Sequence, residues 1–403
     1  MKLYIPDGDV ADPVLSLVIP ALNEEQVMAE FMDWCLQGIE ETGVATEILI
    51  LDSPTDRTPE IALAKGARVL KTPVRGLGRA YLDAIPNIRG TYVILGDADC
   101  TYDFREIAPF MVAFEQGYEF VLGSRFLGSI EDGAMPALHR YFGTPLTIFL
   151  LNFIYGSSFS DIHCGMRGLT LDAFRRMNLK SQSWEYASEM VVKSVRLGLK
   201  TVQAPVHFYK DRDGRLSHHK RIGWFSPWHA GWINLRAMFI HGADFFVLKP
   251  GLLLFLLGLL ITLPLGLGPV ALGGIHFSLN TMYLGSTLSI FGLQCYFLGA
   301  LAQGIYDPVG TVRQKWVRKF PYTPVVALAG IVFCLGLLLC LNFILAYAGA
   351  GYTLFTNMVG VNHAGVIGLM LVILSFVTFV STLLLHAITA NFPEPPKPPV
   401  EPG

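Results

Sequence analysis

The stretch Tyr92-Val-Ile-Leu-Gly-Asp-Ala-Asp99 decides the fold of the first half of this 403-residue chain. Four apolar residues are followed at once by a glycine and by two aspartates that one alanine separates. A short apolar run bounded by turn residues is typical of a buried strand. In open α/β sheets, ligands bind outside the carboxyl ends of the strands. The stretch therefore predicts a central strand with a binding site at its carboxyl end.

Apolar runs of the same kind recur along the first half of the chain and alternate with helical patterns. Strands are predicted at residues 15–19, 48–51, 68–70, 92–95 and 120–122, and helices at 24–39, 59–64, 78–87, 104–116 and 184–197. This order predicts an α/β domain with a parallel sheet and helices on both faces. Acidic or amide groups follow three of the strands, within residues 20–25, 52–56 and 96–99, and should meet at one sheet edge.

Asp97 and Asp99 place two carboxylates in one turn. Like charges this close repel unless a cation lies between them. Hard oxygen ligands select Mg²⁺ or Mn²⁺, ions that also bind phosphate oxygens. The pair therefore predicts a divalent-cation site.

The second half of the chain is almost free of charge. After residue 248 there are only six Lys or Arg and three Asp or Glu residues. Four stretches without any such residue are long enough to cross roughly 30 Å of hydrocarbon, which takes about 20 residues. They are residues 251–270, 282–305, 324–347 and 365–388. Their few polar residues favour an anchoring role over transport.

The loop between the second and third stretches carries Arg313, Lys315, Arg318 and Lys319, whereas the other two loops have no Lys or Arg. The positive-inside rule places this basic loop in the cytoplasm. Four spans then return both ends of the chain to the same side, and residues 1–13 do not resemble a secretory signal. The sequence predicts a multi-pass membrane protein with its first domain on the cytoplasmic face, most simply of a bacterial plasma membrane.

Four segments follow from these patterns. They are an α/β domain at 1–222, an interfacial amphipathic helix region at 223–248 that contains Trp224, Trp228 and Trp232, a membrane domain at 249–391, and a disordered proline-rich tail at 392–403. Six cysteines without a CxxC pair suggest free thiols in a reducing compartment. A net charge of −2 without a basic stripe gives no sign of nucleic-acid binding.

Six motifs carry a resemblance to a known family. In chain order they are Val18-Ile-Pro-Ala-Leu-Asn-Glu-Glu25, Asp52 with Thr55-Asp56, Arg75-Gly-Leu-Gly-Arg-Ala80, Gly96-Asp-Ala-Asp99, Gly123-Ser-Arg125 and Asp161-Ile-His-Cys-Gly-Met-Arg167. The chain resembles the GT-A-fold family 2 glycosyltransferases, in particular the polyprenyl-phosphate branch with the dolichol-phosphate mannose and glucose synthases. The resemblance implies a GT-A (Rossmann-like) nucleotide-sugar domain followed by an all-α transmembrane bundle of four helices.

The resemblance also implies roles for individual residues. The nucleotide would contact Pro20, Leu22, Glu24, Asp52, Asp56, Gly76, Gly78 and Arg79, and the metal would bind Asp97 and Asp99. The catalytic set would be Asp97, Asp99, Arg125 and Arg140. The acceptor phosphate would meet Arg125, Arg140, Arg212, Arg215 and Lys220, with Arg167 and Arg221 as further candidates. Asp161 and Glu189 would bind sugar hydroxyls. Position supports Gly76 and Gly78, because glycines before a helix N-terminus allow a diphosphate to approach the backbone.

A phosphate acceptor fits the absence of a Ser-His-Asp constellation. A polyprenyl phosphate is already an anion near neutral pH, with a second pKa of about 6, so its oxygen needs no general base. Single displacement would invert the sugar C1. The expected reaction is the transfer of a hexose from a nucleotide sugar to polyprenyl or dolichyl phosphate, for cell-envelope glycan synthesis.

Thr101 stands where the mannose synthases usually carry a metal-binding glutamine, which favours UDP-glucose over GDP-mannose as the donor. In the motif after the second predicted strand, Pro54 and Arg57 stand at positions where the family usually carries glycine-like residues.

Several alternatives stay open. They are GDP-mannose-dependent mannosyl transfer, a hydroxyl acceptor with Asp103 or Asp161 as base, and a flippase-like protein with a degenerate nucleotide domain. A processive synthase would show a Gln-x-x-Arg-Trp motif, which residues 314–318 do not fit. Association into a homo-oligomer is also open.

Overall fold

A computed structural model describes residues 1–52, 56–72, 76–212, 232, 235–236, 239–240, 242–307, 310–353 and 359–391. The chain divides into two compact units, Met1–His241 and Gly242–Gly403. Most of the predicted interfacial region at 223–248 and all of the predicted proline-rich tail at 392–403 lie outside the described residues, so the predicted domain bounds stay a prediction.

The first unit alternates strands and helices as predicted. Its strands are β1 (Lys2–Tyr4), β2 (Leu15–Ala21), β3 (Thr46–Asp52), β4 (Arg68–Lys71), β5 (Tyr92–Leu95), β6 (Phe120–Ile130), β7 (Arg167–Thr170) and β8 (Thr201–Phe208). Its helices are α1 (Met28–Thr42), α2 (Thr58–Ala64), α3 (Leu77–Ala84), α4 (Ala108–Glu115), α5 (Thr144–Tyr155), α6 (Leu171–Met177) and α7 (Tyr186–Leu197).

The strands within the described residues form one sheet in the order β1-β4-β3-β2-β5-β7-β6-β8. The sheet is mixed, which corrects the prediction of a wholly parallel one. β7 lies antiparallel between β5 and β6, and β1 lies antiparallel on the outer edge of β4. The sequence of β7, Arg167-Gly-Leu-Thr170, has no apolar run and gave no strand signal. The strands that present the site, β2, β3 and β5, are parallel to one another.

Hydrophobic clusters cover both faces of the sheet. Along β2, Leu17 and Ile19 belong to one cluster and Val18 to the other, and all three are fully buried. Successive side chains of a strand point to opposite faces, so a strand buried on both faces is apolar throughout. The predicted α/β layering is confirmed.

The second unit contains long apolar helices. Its elements are α8 (Ala243–Leu265), β9 (Val270–Leu272), β10 (Ile275–Phe277), α9 (Leu279–Ile305), α10 (Thr311–Lys319), α11 (Tyr322–Gly349) and α12 (Val359–Asn391). In the part of the chain that the structure describes, four of these helices are long and apolar enough to cross a membrane, as predicted. The β9–β10 hairpin is a small departure from the all-α expectation. The chain is a membrane protein.

The basic loop of the second unit folds as the short helix α10. The Lys319 ammonium lies 5.3, 5.0 and 5.8 Å from the ring centres of Tyr296, Trp316 and Phe320, and donates a hydrogen bond to the Tyr296 hydroxyl at 2.6 Å. Cation–π contacts of this kind hold the loop against the ends of the apolar helices.

Helices α8 and α9 pack through small residues. Gly285, Gly292 and Gly299 recur every seven residues along α9. A Cβ at position 292 would lie 2.2 Å from the Phe255 backbone nitrogen of α8, so the two backbones touch. Small residues permit such close approach in membrane helices.

Replacing Gly292 with alanine should therefore push the two helices apart. We expect Gly292→Ala to destabilise the second unit by about 1–3 kcal/mol, the usual effect of overpacking. The measurement is the thermal midpoint of the detergent-solubilised full chain, followed by helical circular dichroism. Gly330→Ala is the matched control, since a Cβ there meets no atom within 4 Å. Equal midpoints for the two variants would contradict the close packing.

Candidate active site

The carboxyl ends of β2, β3 and β5 meet at one edge of the sheet. The strand register pairs Ala21 with Asp52 and Val18 with Leu95. Beside this edge lies a cleft of about 500 Å³, lined by Asn23, Glu24, Glu25, Gln26, Val27 and Asp56. The predicted nucleotide contacts Pro20, Leu22, Glu24, Asp52 and Asp56 thus come together along one edge, as the strand pattern indicates.

The loop after β2 is fastened to the start of α2. The Asp56 carboxylate accepts hydrogen bonds from the backbone N–H groups of Thr58 at 3.0 Å and Glu25 at 3.2 Å. The Thr58 hydroxyl accepts one from the Glu24 N–H at 2.9 Å. Asp56 therefore shapes this edge, and a nucleotide contact by it stays a prediction.

Asp97 and Asp99 extend from the end of β5. Both are partly exposed, whereas Ala98 between them is buried. The Asp99 Oδ1 accepts hydrogen bonds from the Thr101 N–H at 3.0 Å and from the Thr101 hydroxyl at 2.5 Å. Thr101 therefore orients the Asp99 carboxylate.

The two carboxylates fit a hard divalent cation. Within the described residues, no group of three or more His, Cys, Asp or Glu side chains could hold a metal ion. Mg²⁺ usually binds through one or two carboxylates, with waters and substrate phosphates as its other ligands. The donor set at Asp97 and Asp99 has this character.

Buried groups lie close to Asp97. The Gly165 N–H donates a hydrogen bond to the Tyr102 hydroxyl at 2.8 Å, and the Tyr81 hydroxyl donates one to the Gly96 carbonyl at 3.3 Å. Burial, with the nearby Asp97 charge as a smaller cause, raises the pKa of Tyr186 to about 12. The sequence pattern did not identify these tyrosines, because none follows a strand directly.

Arg167, a candidate for phosphate binding, is fully buried. Its guanidinium donates hydrogen bonds to the carbonyls of Cys164 at 2.8 Å, Ala187 at 2.6 Å and Ile162 at 2.9 Å. These contacts fix the loop from residue 161 to 167 beside Asp97 and leave the side chain no access to a phosphate in this conformation.

Arg125 and Asp161 pair with each other. The guanidinium donates to the two carboxylate oxygens at 2.6 and 2.9 Å, and both side chains are buried. Burial opposes ionisation of Asp161, but the Arg125 charge and its hydrogen bonds outweigh this and lower the pKa of that carboxyl. The pair is bidentate, the strong geometry for arginine and carboxylate. Acceptor contact by Arg125 and sugar contact by Asp161 stay predictions.

Glu189 organises a neighbouring loop. Its buried carboxylate accepts hydrogen bonds from the backbone N–H groups of Lys180 at 3.0 Å and Ser181 at 2.8 Å, and it pairs with Lys193 at 2.5 Å. The loop that Glu189 holds, which includes Ser181 and Gln182, packs closely against the start of α3. Cβ atoms at Gly76 and Gly78 would lie 2.4 Å from the carbonyl oxygens of Gln182 and Ser181, respectively.

A close backbone approach was predicted at Gly76 and Gly78. The atoms that approach these glycines are the backbone carbonyl oxygens of residues 181–182 of the same chain. Gly76 also has a φ of 151°, a conformation that favours glycine. Arg79 pairs with Asp83 at 3.0 Å. Diphosphate binding by these residues stays a prediction.

Two further acceptor candidates, Arg140 and Arg212, lie within the described residues. Arg140 is partly exposed and lies 5.6 Å from the Tyr141 ring centre, and no carboxylate of the described residues pairs with it. Arg212 pairs with Glu30 at the surface. Arg215 and Lys220 lie outside the described residues.

Several known proteins are similar to this chain in sequence. Residues 16–177 match the family model described as Glycosyl transferase family 2. The low-salt glycan biosynthesis hexosyltransferase Agl6 of Haloferax volcanii is 35% identical over 319 residues, which are 79% of this chain and 75% of that protein. A dolichyl-phosphate hexose transferase of the same organism is 30% identical over 205 residues, 50% of this chain and 84% of that protein. The crystal structure of glucosyl-3-phosphoglycerate synthase from Mycobacterium tuberculosis with Mn²⁺ and UDP-glucose covers 53% of this chain and 76% of that one, at 23% identity and a TM-score of 0.41.

The family match and the hexosyltransferase relative show that the chain is a glycosyltransferase, and four of its described helices are long and apolar enough to span a bilayer. The chain belongs to glycosyltransferase family 2, and its resemblance to the polyprenyl-phosphate branch is confirmed by the dolichyl-phosphate hexose transferase among its relatives.

Gly165 offers a test of the support for Asp97. A Cβ at this position would lie 2.6 Å from the Asp97 Oδ2 and 2.9 Å from the Tyr102 ring. We expect Gly165→Ala to displace the carboxylate and to reduce the rate of sugar transfer about 10- to 100-fold. Gly143→Ala is the control, since the nearest atom to its Cβ lies 3.7 Å away. Comparable rates for both variants, measured on full chain reconstituted in bilayers, would show that Asp97 does not depend on this contact.

Proposed function

We propose that this enzyme transfers a hexose, preferably glucose, from a nucleotide sugar to a polyprenyl or dolichyl phosphate, with inversion at C1. The observation that carries the proposal is the Asp97–Asp99 pair at the carboxyl edge of the sheet, in a chain that also has four apolar helices of membrane-spanning length. Relatives named as a hexosyltransferase and a dolichyl-phosphate hexose transferase support the hexose and the lipid-phosphate acceptor.

Asp97 and Asp99 would hold Mg²⁺ or Mn²⁺. When bound, such an ion offsets the negative charge of the nucleoside diphosphate as it leaves. Thr101 keeps the Asp99 carboxylate oriented, and residues 20–25 at the sheet edge, with Asp52 and Asp56, would bind the nucleoside. We retain UDP-glucose over GDP-mannose because Thr101 engages Asp99 at the position where the mannose synthases carry glutamine.

The lowered pKa values of Asp103 and Asp161 favour a phosphate acceptor over a hydroxyl acceptor. A hydroxyl acceptor would need a base, and Asp103 and Asp161 are the candidates. Asp103 accepts two hydrogen bonds from the Arg105 guanidinium at 2.8 and 2.7 Å and one from the Tyr209 hydroxyl at 3.0 Å. Although burial opposes ionisation, the hydrogen bonds from Arg105 lower the pKa of Asp103, and Arg125 does the same for Asp161. A carboxylate with a lowered pKa is a poor base, whereas a phosphate acceptor requires none.

We further propose that the first unit faces the cytoplasm. The support is the basic loop, where Lys315 and Arg318 of α10 are exposed. The bacterial plasma membrane and association into a homo-oligomer stay predictions.

The test is an assay for a lipid product. Membranes from cells that express the full chain would be incubated with Mn²⁺, polyprenyl phosphate and labelled UDP-glucose, GDP-mannose or UDP-linked amino sugars. We expect label from UDP-glucose in an organic-extractable product that mild acid cleaves, and none in membranes from the host alone. Label that accumulates in polymer or protein would contradict the acceptor, and label from GDP-mannose alone would contradict the donor.

A further inference from the structure

The end of strand β8 is attached to the turn that carries Asp99, although β7 and β6 lie between β5 and β8 in the sheet. Phe208 forms an isolated antiparallel bridge with Tyr102, and the centres of their rings are 5.1 Å apart. The Tyr209 N–H then donates a hydrogen bond to the Thr101 carbonyl at 2.8 Å. The backbone that follows Asp99 is therefore held by a strand from the edge of the sheet.

The side chain of Tyr209 holds the other end of the same turn. Its hydroxyl donates a hydrogen bond to the Asp103 Oδ2 at 3.0 Å, while the Asp103 Oδ1 accepts one from the Arg105 N–H at 3.0 Å. The Arg105 guanidinium lies 4.6 Å from the centre of the Trp34 ring, and that ring lies 5.7 Å from the Tyr209 ring. These four side chains form a closed set of contacts around Asp103.

The turn between Asp99 and Asp103 has a backbone that needs such support. Cys100 is buried and has a φ of 58°, in the left-handed region that residues other than glycine rarely adopt. A backbone of this kind persists where the surrounding structure holds it in place. Thr101, the next residue, donates to the Asp99 Oδ1 from both its N–H and its hydroxyl. The position of the Asp99 carboxylate therefore depends on what holds Thr101.

We propose that Tyr209 is a positioning residue for the divalent cation, which acts by holding Thr101 and Asp103 and, through them, the Asp99 carboxylate. Groups that orient a metal ligand without touching the metal fix the geometry of the site and change its affinity for the ion. The inference rests on the proposed function for the metal site alone, and it does not depend on the donor sugar or on the acceptor. Because Tyr209 lies 106 residues after Asp103, no motif around the aspartates shows the connection.

The test uses Tyr209→Phe, which removes the hydroxyl and keeps the ring and the backbone N–H. Binding of Mn²⁺ to the detergent-solubilised full chain, with UDP or GDP present, is measured from the electron paramagnetic resonance signal of the free ion. We expect the dissociation constant of Mn²⁺ to rise about tenfold, the low end of the range for groups that support a metal ligand. The Mn²⁺ concentration that half-saturates hexose transfer should rise by the same factor, and saturating Mn²⁺ should restore most of the rate. A merely structural role would lower the thermal midpoint and leave the affinity for Mn²⁺ unchanged.

Tyr118→Phe is the matched control. Tyr118 is also partly buried, but it lies just before β6. Because β7 is antiparallel to both β5 and β6, those two strands are parallel, and the amino end of β6 is at the opposite edge of the sheet from Asp99. The affinity of Tyr118→Phe for Mn²⁺ should equal that of the unmodified chain.

A double variant shows whether Tyr209 acts through Asp103. Asp103→Ala removes the acceptor of the Tyr209 hydroxyl, so the addition of Tyr209→Phe should weaken Mn²⁺ binding no further. Unchanged Mn²⁺ affinity in Tyr209→Phe would overturn the proposal, and so would losses that add in the double variant. An unmodified chain that binds no Mn²⁺ with either nucleotide would overturn both the proposal and the metal site. Binding of Mn²⁺ without hexose transfer from any donor would contradict the proposed function alone, and the affinities of the variants would still decide the role of Tyr209.

Discussion

Replacement of Asp99 with asparagine is expected to reduce hexose transfer about 100-fold or more, since a metal ligand stabilises charge in the transition state by several kcal/mol. Asparagine keeps the size of the side chain and can still accept from Thr101, whose N–H and hydroxyl both donate to the Asp99 Oδ1. The loss would therefore reflect the missing negative charge rather than a changed fold. The measurement is the initial rate of lipid-linked product formation over a range of Mn²⁺ and Mg²⁺ concentrations.

A surface carboxylate supplies the control for this experiment. Asp132 is exposed, and Asp132→Asn removes the same charge from the molecule without touching the strand edge. Its rate should equal that of the unmodified chain. Full activity of the unmodified chain in EDTA would refute the metal dependence, and a fully active Asp99→Asn would refute the assignment of this carboxylate.

Replacement of Arg125 with alanine is expected to destabilise the first unit by about 3–5 kcal/mol, the usual cost of leaving one partner of a buried ion pair alone. Asp161 would lose its bidentate partner while it stays fully buried. The lowered pKa of Asp161 in the folded chain gives stability that is present above the unfolded pKa of about 4 and is lost as the pH falls below it. The difference between Arg125→Ala and the unmodified chain should therefore shrink in acid, which thermal unfolding at several pH values would show.

Two variants make this result interpretable. Arg176 pairs with Glu119 at the surface, with 42% of its side chain exposed, so Arg176→Ala should cost no more than about 1 kcal/mol. The double variant Arg125→Met, Asp161→Leu should recover much of the lost stability, since apolar residues replace many buried pairs without loss. If Arg125→Ala unfolds like the unmodified chain but requires far more lipid phosphate to saturate, Arg125 binds the acceptor as the sequence predicted.

The features that the sequence placed correctly are those whose position depends on local order. Asp97 and Asp99 follow an apolar run directly, and the run itself predicts the strand that presents them. The four apolar helices follow from composition alone, because length and hydropathy are properties of a single segment.

Partners distant in the chain explain what the sequence missed. Arg125 and Asp161 are separated by 36 residues, and nothing in either motif shows that each neutralises the other. Gly76 and Gly78 were correctly expected to permit close approach, but the approaching atoms belong to the chain at residues 181–182. Helix α5 carries apolar residues that composition alone would assign to a core, and only the fold shows that Leu146, Phe149 and Phe153 are exposed.

The antiparallel position of β7 between β5 and β6 has an evolutionary consequence. The chain leaves the sheet after β6 and returns at β7, so residues 131–166, with α5 among them, form one insertion between neighbouring strands. The strands that carry the nucleotide edge all precede this insertion. Most of the insertion can change in length and composition without shifting the register of the sheet, while residues near Gly165 are constrained by Asp97. The nucleotide edge of the sheet and residues 131–160 can therefore diverge separately within one polypeptide.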